Sequence, residues 1–182
     1  MLGAVVLSPS TLEPIINEMG IKYNVEPALI KAHIKQESNW DVNASRFEAH
    51  KGDASWGLMQ LLLSTAREVL RNSSLTTTQL IQPRVNIEAG TKFIAQLQSR
   101  FGNMRDAIAA YNAGSPRIDK KTNKYVNQGY VDKVTKNYEL YKTLGTTAGN
   151  VVIEATSESA IPMYALLGAS VLGVIVLSKS EA

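Results

Sequence analysis

The sequence predicts a mainly α-helical domain followed by a linker and one C-terminal transmembrane helix. Through six segments of the first 143 residues, apolar residues recur at intervals of three and four, the spacing that lines one face of a helix. No apolar–polar alternation longer than a few residues suggests strands, and no internal repeat is present. Residues 160–177, eighteen in succession, carry no charge.

Ser10 and Glu13 form a capping-box pattern, and Leu12, Ile15, Ile16 and Met19 supply the stripe of a first helix that Gly20 ends. Pro27 opens the second, because its ring pre-sets the backbone of a first helical position. Between residues 40 and 56 the chain is polar and irregular and reads as loop. Residues 57–70 return to helical spacing with Leu58, Leu61, Leu62, Ala66 and Val69, and 73–78 is a polar connection. The longest helix is expected at 86–101, where Ile87, Gly90, Ile94, Leu97 and Phe101 align and Gly102 follows. A short Ala-rich helix at 106–112 is closed by Gly114 and Pro116, and 119–124 reads as a basic loop. Tyr130, Val131, Val134, Tyr138 and Tyr141 mark the last amphipathic helix. Residues 145–159 are small and polar, the composition of a linker. The expected organisation is thus a domain at 1–143, a linker at 144–159, a transmembrane helix at 160–178 and a short polar tail at 179–182.

The chain has no cysteine and two histidines, His33 and His50, without ligand-like spacing. Disulfides, thiolate metal sites and cysteine nucleophiles are excluded, and neither a metal nor a cofactor is expected. His33 shares a helix side with Ile30 and reads as a satisfied, semi-buried histidine. Residues 1–143 hold 18 basic and 13 acidic residues, whereas 144–182 hold one lysine and three glutamates. A basic body with an acidic tail suits an anionic partner such as wall polymer or phospholipid. Nucleic acid is not expected, because the basic residues are dispersed and no stacked aromatics accompany them. Met1–Leu7 is apolar but short and lacks a basic residue, so it is not read as a signal peptide. The uncharged run would rise about 27 Å as a helix, against a hydrocarbon core of about 30 Å. Ala165, Ala169 and Gly173 add a small-residue stripe suited to close helix association, including self-association.

The residue that organises the chain is Glu37. In a helix over 27–37, Ile30, Ile34 and Glu37 stand at i, i+4 and i+7 and share a face. A carboxyl on an apolar face resists ionisation, which is how a glutamate becomes a general acid near neutral pH. The plain alternative is a glutamate in the last turn that reaches solvent or pairs with Lys31 or Lys35.

Three further segments decide between these: Ser55-Trp56-Gly57-Leu58-Met59-Gln60, Ala110-Tyr111-Asn112-Ala113-Gly114 and Gly129-Tyr130-Val131. With Glu37-Ser38 and the Asn86-Ile87…Gly90 helix, their order resembles the lytic transglycosylases that cleave peptidoglycan, relatives of goose-type lysozyme. The resemblance covers about residues 12–143. It implies a lysozyme-like helical fold, Glu37 as the single catalytic acid and base, and glycan strands of peptidoglycan as partner. Around Glu37 the candidate substrate-binding residues are Ser38, Ser55, Gly57, Met59, Gln60, Tyr111, Asn112 and Tyr130. Gly57 permits close backbone approach, Gln60 offers donor and acceptor to sugar amides, and Met59 is a soft apolar wall. Tyr111 and Tyr130 each supply a ring and a hydroxyl to hold Glu37 or substrate, Tyr111 being equally suited to packing. Asn112 either meets the acetamido carbonyl or caps its own helix. Trp56 stacks on a sugar or packs.

The family often has proline where Leu63 stands, and Pro-Gly where Ser115-Pro116 follow, which bears on subsites more than on Glu37. Glycosidases usually need two carboxylates; Asp41 and Asp53 are near in sequence, and the resemblance implies that neither serves. It implies instead a lyase that leaves 1,6-anhydro-muramic acid ends. The competing readings are a lysozyme-type hydrolase, a chitin- or chitosan-directed glycosidase of the same fold, and a non-catalytic wall-binding protein. A C-terminal anchor without an export signal, on a small basic wall-cutting domain, suits a phage virion protein opening the wall during genome entry.

Overall fold

The computed structural model describes residues 5–49 and 52–158, with side chains through residue 145. Helix α1 (Pro9–Tyr23) begins earlier than the Ser10 pattern indicates: the Ser8 hydroxyl caps it by accepting from the Thr11 amide at 3.3 Å. Nor does Gly20 end it. The helix closes at Asn24, in the left-handed region at φ 54°, and Gly20 lies buried within it. The chain returns so close there that a Cβ on Gly20 would stand 2.8 Å from the Val25 carbonyl oxygen. Helix α2 (Pro27–Ser38) starts at Pro27 as expected and buries Leu29, Ile30, His33 and Ile34. Glu13 of α1 serves no capping box and pairs with Lys31 of α2 at 2.9 Å.

The largest departure follows. Residues 40–56 are not loop throughout but carry β1 (Ser45–Glu48) and β2 (Asp53–Trp56), which pair antiparallel with β3 (Leu61–Leu62) in the order β1-β2-β3. Strands of two to four residues are too short to print an alternating pattern in sequence. The helix expected over 57–70 is correspondingly shorter: residues 57–60 form a turn, and α3 spans Leu63–Leu70. Leu63 takes the first helical position, where proline is favoured in general, so the helix starts there without one. A short α4 (Thr77–Leu80) carries a full capping box between Thr76 and Gln79.

Helix α5 (Pro83–Phe101) is the most buried, with Asn86, Ile87, Ala89, Gly90, Thr91, Ile94 and Leu97 inside. It packs against α1, α3, α4 and α6 (Met104–Ala113). Left-handed glycines Gly102 and Gly114 terminate α5 and α6, as their positions in the sequence indicate. The expected basic loop at 119–124 is tied into a hairpin by β4 (Ile118–Asp119) and β5 (Lys124–Tyr125). Helix α7 (Gln128–Glu158) buries Val131, Val134 and Tyr138. Its backbone stays helical through most of the stretch read as a linker, and the first compact unit ends at Gly145. Among the described residues no helix is long and apolar enough to cross a membrane. The span expected at 160–178 lies outside them.

Candidate active site

Ile30 and Ile34 on α2 are fully buried, so the last turn of that helix carries Glu37 to the edge of the core. Neither lysine of the plain alternative reaches it: Lys31 holds Glu13 and Lys35 donates to the Asn39 side chain. The partner of Glu37 comes from α7. The Tyr130 hydroxyl donates to Glu37 Oε1 at 2.5 Å, across 93 residues of sequence. Burial holds the Glu37 carboxyl up at about 7; the Tyr130 hydrogen bond and the positive charge of Arg46 oppose this, and the negative charge of Glu48 adds to it. Burial, together with the negative charge of Glu37, keeps the Tyr111 and Tyr130 hydroxyls protonated well above their ordinary range. The site therefore joins one carboxyl able to exchange a proton near neutrality to neutral hydroxyls that do not titrate there.

Behind this pair stands His33, one turn earlier on α2 and fully buried. Its Nδ1 lies 3.2 Å from the Tyr130 hydroxyl, and its ring packs against Tyr111 at a tilt of 45° with centroids 4.4 Å apart. Burial pushes its pKa down to about 3, so the imidazole is neutral. Tyr111 touches both Phe93 and His33 through its ring, and its hydroxyl donates to the Met59 carbonyl at 2.8 Å. Of the two meanings considered for Tyr111 the structure shows the packing, and its hydroxyl holds the 57–60 turn rather than Glu37.

Three of the candidate residues lie on that turn, and each has its partner within the protein. Gly57 adopts φ 76° and is buried, and a Cβ there would fall 2.5 Å from the Asn86 amide nitrogen, so its close approach is to Asn86. Met59 is not a wall toward sugar: its side chain is wholly buried over Gly90, where a Cβ would meet its sulfur at 2.2 Å. The amide of Gln60 is engaged internally, with Nε2 donating to Ala44 and Gly57 carbonyls at 2.9 Å each and Oε1 3.0 Å from the Ser55 hydroxyl. These bonds hold Gln60 itself at φ 45°, a conformation that costs a non-glycine residue energy. Buried Ser55 joins the turn to the sheet. Ser38 bonds back to the Ile34 carbonyl at 3.2 Å, and exposed Asn112 accepts from Asn127 at 3.0 Å. Trp56 is half-buried, with its carbonyl accepting from Asn86.

Two functional residues lack a role in the sequence reading. Asn86 is fully buried and fastens the turn: Oδ1 accepts from the Met59 amide at 2.8 Å, and Nδ2 donates to Trp56 and Leu80 carbonyls at 2.9 and 3.1 Å. A polar residue on the buried stripe of the longest helix was the available signal. Glu48 is the other: on β1 it is held by Arg46 at 2.8 Å, stands 3.5 Å from the Ser55 hydroxyl, and its charge reaches Glu37. Asp41 and Asp53 are engaged elsewhere, Asp41 with the Val5 and Asn43 amides and Asp53 with the Ala54 amide and Ser64.

A family model described as "Transglycosylase SLT domain" matches residues 14–133. The chain is 28% identical over 127 residues to the transglycosylase of Enterobacteria phage PRD1, covering 69% of this chain and 42% of that protein. It is 32% identical over 100 residues to the soluble lytic murein transglycosylase of Salmonella typhimurium, covering 52% of this chain and 15% of that one. Both relatives are more than twice as long as the part of them that is matched. Among solved structures, an inactive mutant of the lytic transglycosylase Slt from Pseudomonas aeruginosa superposes with TM-score 0.60 at 26% identity, over 75% of this chain and 25% of that one.

Proposed function

Because the chain belongs to the transglycosylase SLT domain family, we propose that it is a peptidoglycan lytic transglycosylase with Glu37 as its acid and base. The observation that carries the reading is the buried Glu37 carboxyl, raised to about 7 and held by Tyr130. Protonated Glu37 delivers its proton to the oxygen joining N-acetylmuramic acid C1 to N-acetylglucosamine, and the C1–O bond breaks. The substrate's 2-acetamido oxygen stabilises C1. The carboxylate, met by the Tyr130 hydroxyl, then takes the proton of the muramoyl 6-hydroxyl, whose oxygen closes onto C1 as a 1,6-anhydro ring. Glu37 ends protonated, and no water is consumed. A pKa near 7 suits both halves, since neither form is strongly favoured.

A second reading, hydrolysis, would need a second carboxylate, and Glu48 on β1, paired with Arg46, is the one whose charge acts on Glu37. Mass spectrometry of fragments released from purified peptidoglycan separates the two. Anhydro-muramic ends, lost in Glu37→Gln with a fall of at least about 100-fold, support the lyase. Ends heavier by one water, lost in Glu48→Gln, support the hydrolase. No release at all leaves a wall-binding protein. Under the lyase reading Glu48→Gln stays active and removes a charge that holds the Glu37 proton, so the alkaline limb of the rate–pH profile shifts to lower pH.

The same proposal places a single membrane anchor at 160–178, on the strength of its uncharged run and small-residue stripe. The similarity to a phage transglycosylase supports a virion role in local wall opening. Detection of the protein in purified particles is the expected result, and its absence there removes the virion role.

A further inference from the structure

Resting on the reading above, we infer that His33 is a positioning residue: as the neutral Nδ1–H tautomer it donates to the Tyr130 oxygen and so turns the Tyr130 proton onto Glu37. A phenol has one proton. Whenever Glu37 Oε1 carries no proton, either as carboxylate or with its proton on Oε2, the phenol proton belongs to the shorter contact, 2.5 Å against 3.2 Å, and the imidazole nitrogen then supplies its own. The chain His33 Nδ1–H to Tyr130 Oη–H to Glu37 Oε1 runs in one direction, and each bond polarises the next. The Tyr130 hydroxyl becomes a better donor at the moment Glu37 has given up its proton and must hold a charge.

The donor has to be uncharged. An imidazolium at this distance would stabilise the carboxylate so strongly that Glu37 would lose its proton before meeting substrate. Complete burial between Tyr111 of α6 and Tyr130 of α7 keeps His33 neutral. The tilted contact with Tyr111 limits rotation of the ring, and Tyr111 in turn is tied to the Met59 carbonyl. The titratable and charged groups that act on Glu37 are Tyr130 from α7, Tyr111 from α6, and Arg46 and Glu48 from β1. His33 acts only through the first.

The test is nitrogen NMR of the full chain labelled at histidine, with His50→Gln used to assign the two rings. Expected is a pyrrole-type Nδ1 for His33 that does not become cationic between pH 5 and 9, and a loss of that tautomer preference in Tyr130→Phe. A pyridine-type Nδ1, or no response to Tyr130→Phe, overturns the inference. Kinetics give a second readout. His33→Phe keeps a ring on Tyr111 but no donor, and should lower kcat about tenfold, the worth of one hydrogen bond, with KM unchanged. Its alkaline limb should move to higher pH, because the carboxylate is held less well, and His33→Asn, whose amide can take the Nδ1 place, should recover most of both. Unaltered kcat and pH profile in His33→Phe also overturn it. If the wild type releases no wall fragments, the functional reading fails while the NMR result still decides the tautomer.

Discussion

Glu37 is where stability and function pull apart. Unfolded, it titrates near 4.5, and folded near 7. Between those values the folded protein holds a proton that the unfolded chain lacks, so stability falls as pH rises through the window and levels off above about 7. Glu37→Gln removes the penalty. It should therefore be more stable than the parent at pH 8, by about 1–3 kcal/mol, and equally stable at pH 4, as the unfolding temperatures from calorimetry at the two pH values would register. An equal Tm at both pH values would mean that the carboxyl is solvated in the folded state. Helix spacing set Glu37 on the apolar face but left a solvent-reaching glutamate open, and only the resemblance of the other segments singled it out. Its partner Tyr130 was legible only as a candidate, since no local rule says that two residues 93 positions apart will meet. Glu48 was hidden because its strand is too short to show which way its side chains face.

At the scale of elements, helices announced themselves and the sheet did not. Pro27, Gly102 and Gly114 mark helix ends by backbone chemistry that works without neighbours. The turn at 57–60 is instead specified by tertiary bonds. Gln60 and Met59 look like a helix start and a sugar wall until Asn86 and Gly90 arrive beneath them. Asn86 is then the fastening of the whole sheet side of the site. Its replacement by alanine orphans a buried amide and two carbonyls, and should cost about 3–5 kcal/mol in denaturant unfolding. A loss under about 1 kcal/mol would show that the turn holds itself. Gly90→Ala acts on the same turn from the opposite direction, forcing Met59 from its place, at about 1–3 kcal/mol. Activity in both variants should fall further than stability alone accounts for, because Met59 also anchors Tyr111.

For the whole molecule, the residues that build the site lie between His33 and Tyr130, inside the unit that ends at Gly145. If residues 160–178 form the proposed anchor, the full chain should float with vesicles and a chain ending at residue 145 should not, while keeping the same melting temperature and the same release of wall fragments. Aggregation of that fragment would mean that the tail is part of the domain. The bond between Glu37 and Tyr130 also sets a clock on biosynthesis. At roughly 5–20 residues per second, the ribosome needs about 5–20 s after making Glu37 before Tyr130 even exists. A nascent chain thus carries its acid without the group that positions it, and the Glu37–Tyr130 pair first forms only after 93 further residues have been made.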